Sequence, residues 1–261
     1  SAGVAHAQTA NTTAVGFQVN RYEPTAAGEY SFWVDHPWYS STRRLAVGLT
    51  MNYAHNPLVL RRVNLDGSLA GTDIVLQHLP LAHADIAVSF AERVTLAATI
   101  PVALLAADGG SPISGIQPPT GAGISDPRFG VMFRIAGQPD ASPISLSIGA
   151  QTWIPLNDGS NGVASTRNDS GFRILPKLVL AGYGAHIRWS ATAAFFYRPE
   201  AHLNSAISIG GTAGSEVQFG ASLAYANKDL RLSIGPEAVM STLVIPNLAF
   251  QKEATSLEVL L

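Results

Sequence analysis

The sequence predicts an all-β fold, an antiparallel transmembrane β-barrel with about 12 strands. Three observations predict it. From Arg44 to Tyr53 the chain reads Arg-Leu-Ala-Val-Gly-Leu-Thr-Met-Asn-Tyr, large apolar residues alternating with small or polar ones, and this period of two recurs along most of the chain. Successive strand side chains point to opposite faces, so each such segment builds one apolar and one polar surface. The connections between segments alternate in length, as in barrels with short periplasmic turns and long outer loops. Finally, 47% of the 261 residues are hydrophobic and only 13% are charged, against roughly 25% charged in ordinary soluble domains. Yet the chain has no apolar run of the length that a membrane-spanning helix needs.

The elements follow in order. Thr13–Tyr22 reads as the first strand, with Val15, Phe17 and Val19 on one face and Gly16, Gln18 and Asn20 on the other, and Glu23–Arg43 as a long connection. Arg44–Ala54 is the second strand; Asn56-Pro57 supplies turn chemistry before a short third strand, Leu58–Val63. Asn64–Gly71 is a loop, Thr72–Ala91 a long strand, and Glu92-Arg93 a tight turn into Val94–Leu105. After the Gly/Pro-rich connection Ala106–Ser125 come Arg128–Ala136, the compact turn Gly137–Ser142, and Ile144–Ile154. Pro155–Ser170 is a polar loop; Phe172–Ala181 and Ile187–Arg198 flank a Gly182-Tyr183-Gly184 turn. Pro199–Gly214 is the next long loop, followed by Glu216–Tyr225, the turn Asn227-Lys228, Leu230–Ser241, and Leu243–Thr255 leading into Ser256–Leu261. Pro101, Pro176 and Pro236 cannot donate a ladder hydrogen bond and are expected at bulges or rims. Tyr22, Tyr53, Trp189, Tyr197 and Tyr225 lie near strand ends, where aromatic rings meet both hydrocarbon and headgroups.

Residues 1–12 read as a signal-peptide remnant or periplasmic segment, since Ala5-His6-Ala7 fits the small-x-small cleavage pattern. Residues 13–261 read as one barrel domain. The absence of cysteine removes disulfides and thiolate metal sites, and a net charge of −2 gives no nucleic-acid signature.

If the apolar face meets lipid, the opposite face lines the lumen, and it holds nearly all strand charges: Asp85, Arg128, Arg134, Arg173, Lys177, Arg188, Arg198, Glu216, Arg231, Glu237 and Glu258. Basic groups dominate the middle strands and acidic ones the last three, so cross-strand ion pairs are expected. These groups serve either as selectivity rings of a pore for small ions and solutes, as a salt-bridged plug, or simply as a tolerated polar face. No catalytic, cofactor or metal residues are expected. Outer-membrane phospholipases carry His-x-Ser, which does not occur here; His36, His55, His78, His83, His186 and His202 are scattered, and Asp35-His36 beside Trp38 lacks further ligands at metal spacing. Gly210–Gly214 lacks the Lys-Ser/Thr of a phosphate loop.

Several phrases resemble the amino-terminal barrel of large OmpA-family outer-membrane proteins of Gram-negative bacteria: Phe17-Gln18-Val19-Asn20-Arg21-Tyr22-Glu23-Pro24, Asn52-Tyr53-Ala54-His55-Asn56-Pro57-Leu58-Val59, Ser125-Asp126-Pro127-Arg128-Phe129-Gly130, Gly149-Ala150-Gln151-Thr152-Trp153-Ile154-Pro155 and Gly214-Ser215-Glu216-Val217-Gln218-Phe219-Gly220. The resemblance implies an outer-membrane location, with lipid and lipopolysaccharide as partners. It also implies that further strands follow Leu261, where the barrel is truncated here, and that any peptidoglycan contact belongs to a downstream domain. The expected function is structural or porin-like. The class rival is a soluble all-β ligand-binding protein of the periplasm or cell surface, whose apolar faces would pack inward.

Overall fold

The computed structural model describes residues 18–39, 44–64, 66, 68–105, 107–108, 121–156, 171–202, 212–227, 232–244, 250 and 254–260. Among these the secondary structure is all β, with no helix. The strands are β1 (Leu45–Val63), β2 (Leu69–Phe90), β3 (Val94–Ala103), β4 (Ala107–Asp108), β5 (Gly123–Ile124), β6 (Arg128–Ala136), β7 (Ser145–Trp153), β8 (Arg173–Gly184), β9 (Ile187–Phe196), β10 (Ala201–His202), β11 (Thr212–Ala213), β12 (Glu216–Ala226), β13 (Ser233–Ile234), β14 (Glu237–Leu243) and β15 (Thr255–Leu260). One antiparallel sheet runs β1-β2-β3-β6-β7-β8-β9-β12-β14-β15, with β4, β5 and β13 appended and β10-β11 as a separate ribbon. Each long strand pairs with the next one in sequence, as the short links 91–93 and 185–186 require. The path is open, with β1 and β15 as its edges.

Links 91–93, 137–144, 185–186 and 227–236 lie at one end of the sheet, and 104–127, 154–172, 197–215 and 244–254 at the other. The expected alternation of short and long connections is therefore present. Ala91, Glu92, Ala185 and His186 all have positive φ, as tight antiparallel turns demand. Strands β1 and β2 have 19 and 22 residues against at most 12 elsewhere, so their hairpin projects beyond the sheet at the long-loop end. Leu58, Val75, Leu79, Leu81 and Ala103 form a buried cluster in and below it.

Several boundaries differ from expectation. Asn56-Pro57 is not a turn: Asn56 adopts φ 50 and the register shifts between His55 and Leu58, so a bulge absorbs the irregularity and the two expected strands are one. Gly182-Tyr183-Gly184 continues β8, and the turn falls on Ala185-His186. Pro236 splits Leu230–Ser241 into β13 and β14, and the last strand begins at Thr255.

The prolines sit where the ladder is interrupted. Pro101 O accepts from Ser125 N at 2.9 Å, which turns the proline nitrogen toward the break between β5 and β6. Pro176 lies between the Ile174↔Tyr197 bridge and the Lys177↔Ala194 pair, where β8 and β9 are unpaired. At Pro176 the register runs on unchanged, so the missing N–H is itself what interrupts the ladder between β8 and β9.

The largest difference concerns the first expected strand, Thr13–Tyr22. Residues 13–17 lie outside the described residues; residues 18–22 belong to no strand, and 23–39, expected as a loop, continue as irregular chain. This segment lies in the hollow of the sheet and touches every strand of its main path. Asn52 of β1 donates to Asn20, Tyr22 meets the His83 ring of β2, Thr95 of β3 donates to Trp38 O, and Arg128 of β6 donates to Pro24 O. Tyr39 donates to Ser147 of β7, Lys177 of β8 to Asp35, and Arg188 of β9 stacks on Tyr30. Arg21 reaches Glu216 of β12, Ser241 of β14 and Ser256 of β15. Because the adjacent residues Asn20 and Arg21 bond to the two opposite edges, the sheet curls around the segment. Side chains of the segment join three of the four buried apolar clusters, including Trp38 with Ala27 and Ala87, and Tyr39 with Met132, Val179 and Ala181.

The physical reason is polar satisfaction. Gln18 and Asn20 are buried and bond Asn20 O, Glu23 and Tyr22 O within the segment. From Gln18 onward both sides of the segment are enclosed, so Val19 between two polar neighbours does not mark a two-sided sheet surface. Tyr22 accordingly bonds Phe32 O and packs edge-on to Trp33 inside the fold instead of capping a strand.

Candidate functional site

The convex and concave faces have opposite character. On β6, Phe129, Val131, Phe133 and Ile135 are exposed, while Arg128 and Met132 are buried. The same phase holds on β3, where Leu96 and Ile100 point out and Thr95 and Thr99 point in. Leu96, Val131, Phe133 and Phe219 retain 45, 44, 42 and 42% exposure. Exposed apolar side chains continue onto both edge strands, as Leu45, Val47, Leu49 and Met51 on β1 and Leu257 and Val259 on β15.

Of the expected lumen charges, Asp85, Arg128, Arg173, Lys177, Arg188, Arg198, Glu216 and Glu237 are buried in the concave face. Arg134 and Glu258 are half-buried at its margins, and Arg231 lies outside the described residues. Their partners are mainly not one another. Arg128 lies 3.9 Å from Asp85, a cross-strand pair of the expected kind, but it also donates to Pro24 O at 2.5 Å and faces Glu23 at 3.4 Å. Arg173 pairs with Asp126 at 2.9 Å and donates to Gln18 at 2.7 Å. Lys177 pairs with Asp35 at 2.5 Å, Arg21 with Glu216 at 3.2 Å, and Arg198 donates to Gln18 O at 2.9 Å. The wall charges therefore clamp the inner segment.

Another clamp has no basic partner among the described residues. Glu237 accepts from three successive backbone amides, Phe32 N at 2.8 Å to Oε1 and Trp33 N and Val34 N at 2.9 and 2.8 Å to Oε2. Successive amides turned to one side form an anion-binding nest, here filled by a side-chain carboxylate. The bend closes on itself through Thr25 N to Phe32 O and His36 N to Glu29 Oε2. Gly220, opposite the bend, could not carry a Cβ without meeting both Val34 methyls at 3.2 Å.

The sequence reading missed Arg21, Glu23, Glu29 and Asp35 as interior partners because Arg21 fell at the end of an expected strand and the other three in an expected loop. A signal was available: four charges and three tryptophan or tyrosine residues crowd residues 21–35, a density unlike that of the other long connections. Asp126 both pairs with Arg173 and accepts Leu156 N at 3.0 Å. Asp35 is bound to Lys177, so the Asp35-His36-Trp38 triplet serves packing, and His36 is fully buried.

Between the inner segment and strands β7 to β15 remains a cavity of about 110 Å³, lined by Gln18, Arg21, Trp33, Trp153, Thr192 and Glu258 among others. Toward the short-turn end the hollow is packed by the Trp38 and Tyr39 clusters. Among the described residues no group of three or more His, Cys, Asp or Glu could hold a metal. What the arrangement can do chemically is bind its own chain: it offers fixed charges with fixed counter-groups.

The Lys177–Asp35 pair gives a direct test of that clamp. Removing one member of a buried pair strands the other charge and costs about 3–5 kcal/mol, whereas replacing both by apolar residues is often nearly neutral. Lys177→Met alone is expected to lower stability by that amount, and Lys177→Met with Asp35→Leu to recover most of it, measured by denaturant unfolding in detergent.

A comparison with models of known protein families gives no match, and a comparison with curated proteins gives no match either.

Proposed function

We propose that this chain forms an outer-membrane β-barrel of structural role, its interior closed by its own residues 18–39. The observation that carries the reading is the inversion of faces: apolar side chains cover the convex surface and charges fill the concave one. A soluble β-sandwich or ligand carrier places apolar residues between its layers and charges in water. Hydrocarbon is the solvent that stabilises the opposite arrangement, because a Lys or Arg at mid-bilayer on the lipid face costs about 2–4 kcal/mol while a lumen position is tolerated. The segregation of long and short connections to opposite ends supports the same reading, with the long ones outside the cell.

The inner segment favours the structural over the porin-like form. It occupies the hollow from Gln18, bonded to Arg173 and Arg198 near the long-loop end, to Tyr39, held by Ser147 and by Gln138 of a short turn. Small solutes would have to displace it. The partners of the convex face are then lipid and lipopolysaccharide. Cell fractionation tests location: recovery in detergent-extracted outer membrane is expected, and recovery in the soluble periplasm would favour the soluble rival. Planar-bilayer recording tests closure, with no stepwise conductance expected from the unmodified chain.

A further inference from the structure

We propose that the guanidinium of Arg188 forms a binding site for one small anion, of chloride to phosphate size, at the short-turn end of the hollow. The site goes beyond the membrane reading and does not depend on it. Arg188, near the start of β9, is 2% exposed, and its Nε and both terminal nitrogens have no hydrogen-bond acceptor. Its guanidinium lies 3.7 Å from the centre of the Tyr30 ring, which fixes the plane of the fork without occupying any N–H. His36 is 0% exposed and stands edge-on to the same ring at 5.7 Å between centroids.

An isolated buried cation is costly, and buried charges in proteins are paired or bound to ions. Every other buried wall cation meets acceptors: Arg128, Arg173, Lys177 and Arg198 all donate to the chain. Arg188 differs from them in kind. The nearby carboxylate, Asp140, spends one oxygen on Tyr30 Oη at 3.2 Å and keeps the other without a donor, so it does not close the guanidinium fork. Burial, partly offset by that hydrogen bond, also holds its carboxyl above the usual carboxylate range. A planar fork of unused N–H groups matches the geometry of a small anion.

The test is thermal unfolding of the full chain in neutral detergent, followed by tryptophan fluorescence at constant ionic strength. Sodium chloride or sodium phosphate replaces sodium gluconate. A saturable rise in midpoint is expected, roughly 5–10 °C at a hundredfold excess over Kd. Arg188→Gln is expected to abolish the dependence on anion. Should that variant fail to fold, Asp140→Asn decides: removing the neighbouring carboxylate should lower the half-saturating anion concentration several-fold. Dihexanoylphosphatidylglycerol carries the same phosphate on a lipid headgroup and should give no shift. An unmodified chain indifferent to both anions, an unchanged response in Arg188→Gln, an unchanged half-saturation in Asp140→Asn, or a shift with the lipid alone would each overturn the site. Failure here leaves the closure of the hollow intact, since conductance and fractionation report on that separately.

Discussion

Val131→Arg is expected to block assembly into the outer membrane, whereas Gln218→Arg is expected to assemble. Val131 is in the middle of β6 on the convex face, opposite Leu96 of β3 and Ala150 of β7, and nothing polar covers it. An arginine there cannot reach the interior without reversing the strand, because side chains alternate strictly and a one-residue slip would turn Arg128 and Met132 outward. At mid-bilayer the cost is about 2–4 kcal/mol, a large part of the stability of a single domain. Gln218 is on β12, faces the cavity and is surrounded by polar groups including Arg21, Glu216 and Ser241. Comparing heat-modifiable, folded protein in outer-membrane fractions checks both variants, and equal tolerance would contradict the assignment of faces.

Glu237→Ala is expected to release the inner segment. The carboxylate holds three amides that have no other acceptor in the bend. Hydrogen bonds to a charged acceptor contribute about 1.5–3 kcal/mol each, and buried N–H groups left without a partner cost a comparable amount unless water enters. Allowing for that entry, a loss of roughly 3–5 kcal/mol is expected. The segment would then open as a unit, because the bend at Phe32–Val34 lies between the Arg21–Glu216 and Lys177–Asp35 contacts. Chymotrypsin should cut at Tyr30, Phe32 or Trp33 in the variant and spare the unmodified chain. In planar bilayers the variant should give stepwise openings. Glu237→Gln, retaining one acceptor oxygen, should fall between the two. Persistent protection in Glu237→Ala would show that the ion pairs alone hold the segment.

The strands were legible because their alternation is a local consequence of having an apolar convex face and a polar concave face. Arg128–Ala136 was bounded to the residue, and β9 and β12 to within two, since each has an unbroken apolar set such as Phe129, Val131, Phe133 and Ile135. The inward set of charges was legible for the same reason: once Ile187 and Trp189 are assigned to one face, Arg188 falls on the other. What could not be read locally was partnership. Alternation says which way Glu237 points but carries no information on what stands in front of it, and the occupant proved to be backbone amides from a segment 203 to 205 residues away. Residues 18–22 were misread because they continue a period of two that the expected strand Thr13–Tyr22 shares with true strands. A period of two requires extended chain, and extended chain threaded through a hollow satisfies it as well as a sheet does. The bulge at Asn56 was hidden similarly: Asn-Pro is turn chemistry, and only the register of β1 on β2 shows the strand continuing past it.

Hydrocarbon contact of the convex face can be measured residue by residue, because the chain has no native cysteine to interfere with labelling. Nitroxides at Val131→Cys, Phe133→Cys and Phe219→Cys, with Thr192→Cys and Gln218→Cys as concave controls, report collisions with lipid-soluble oxygen and with a water-soluble nickel chelate in reconstituted vesicles. High oxygen and low nickel accessibility at the first three positions, with the oxygen signal lost at the controls, is the predicted pattern. Nickel accessibility at Val131, Phe133 and Phe219 equal to that of an exposed loop residue such as Ser68 would contradict the account.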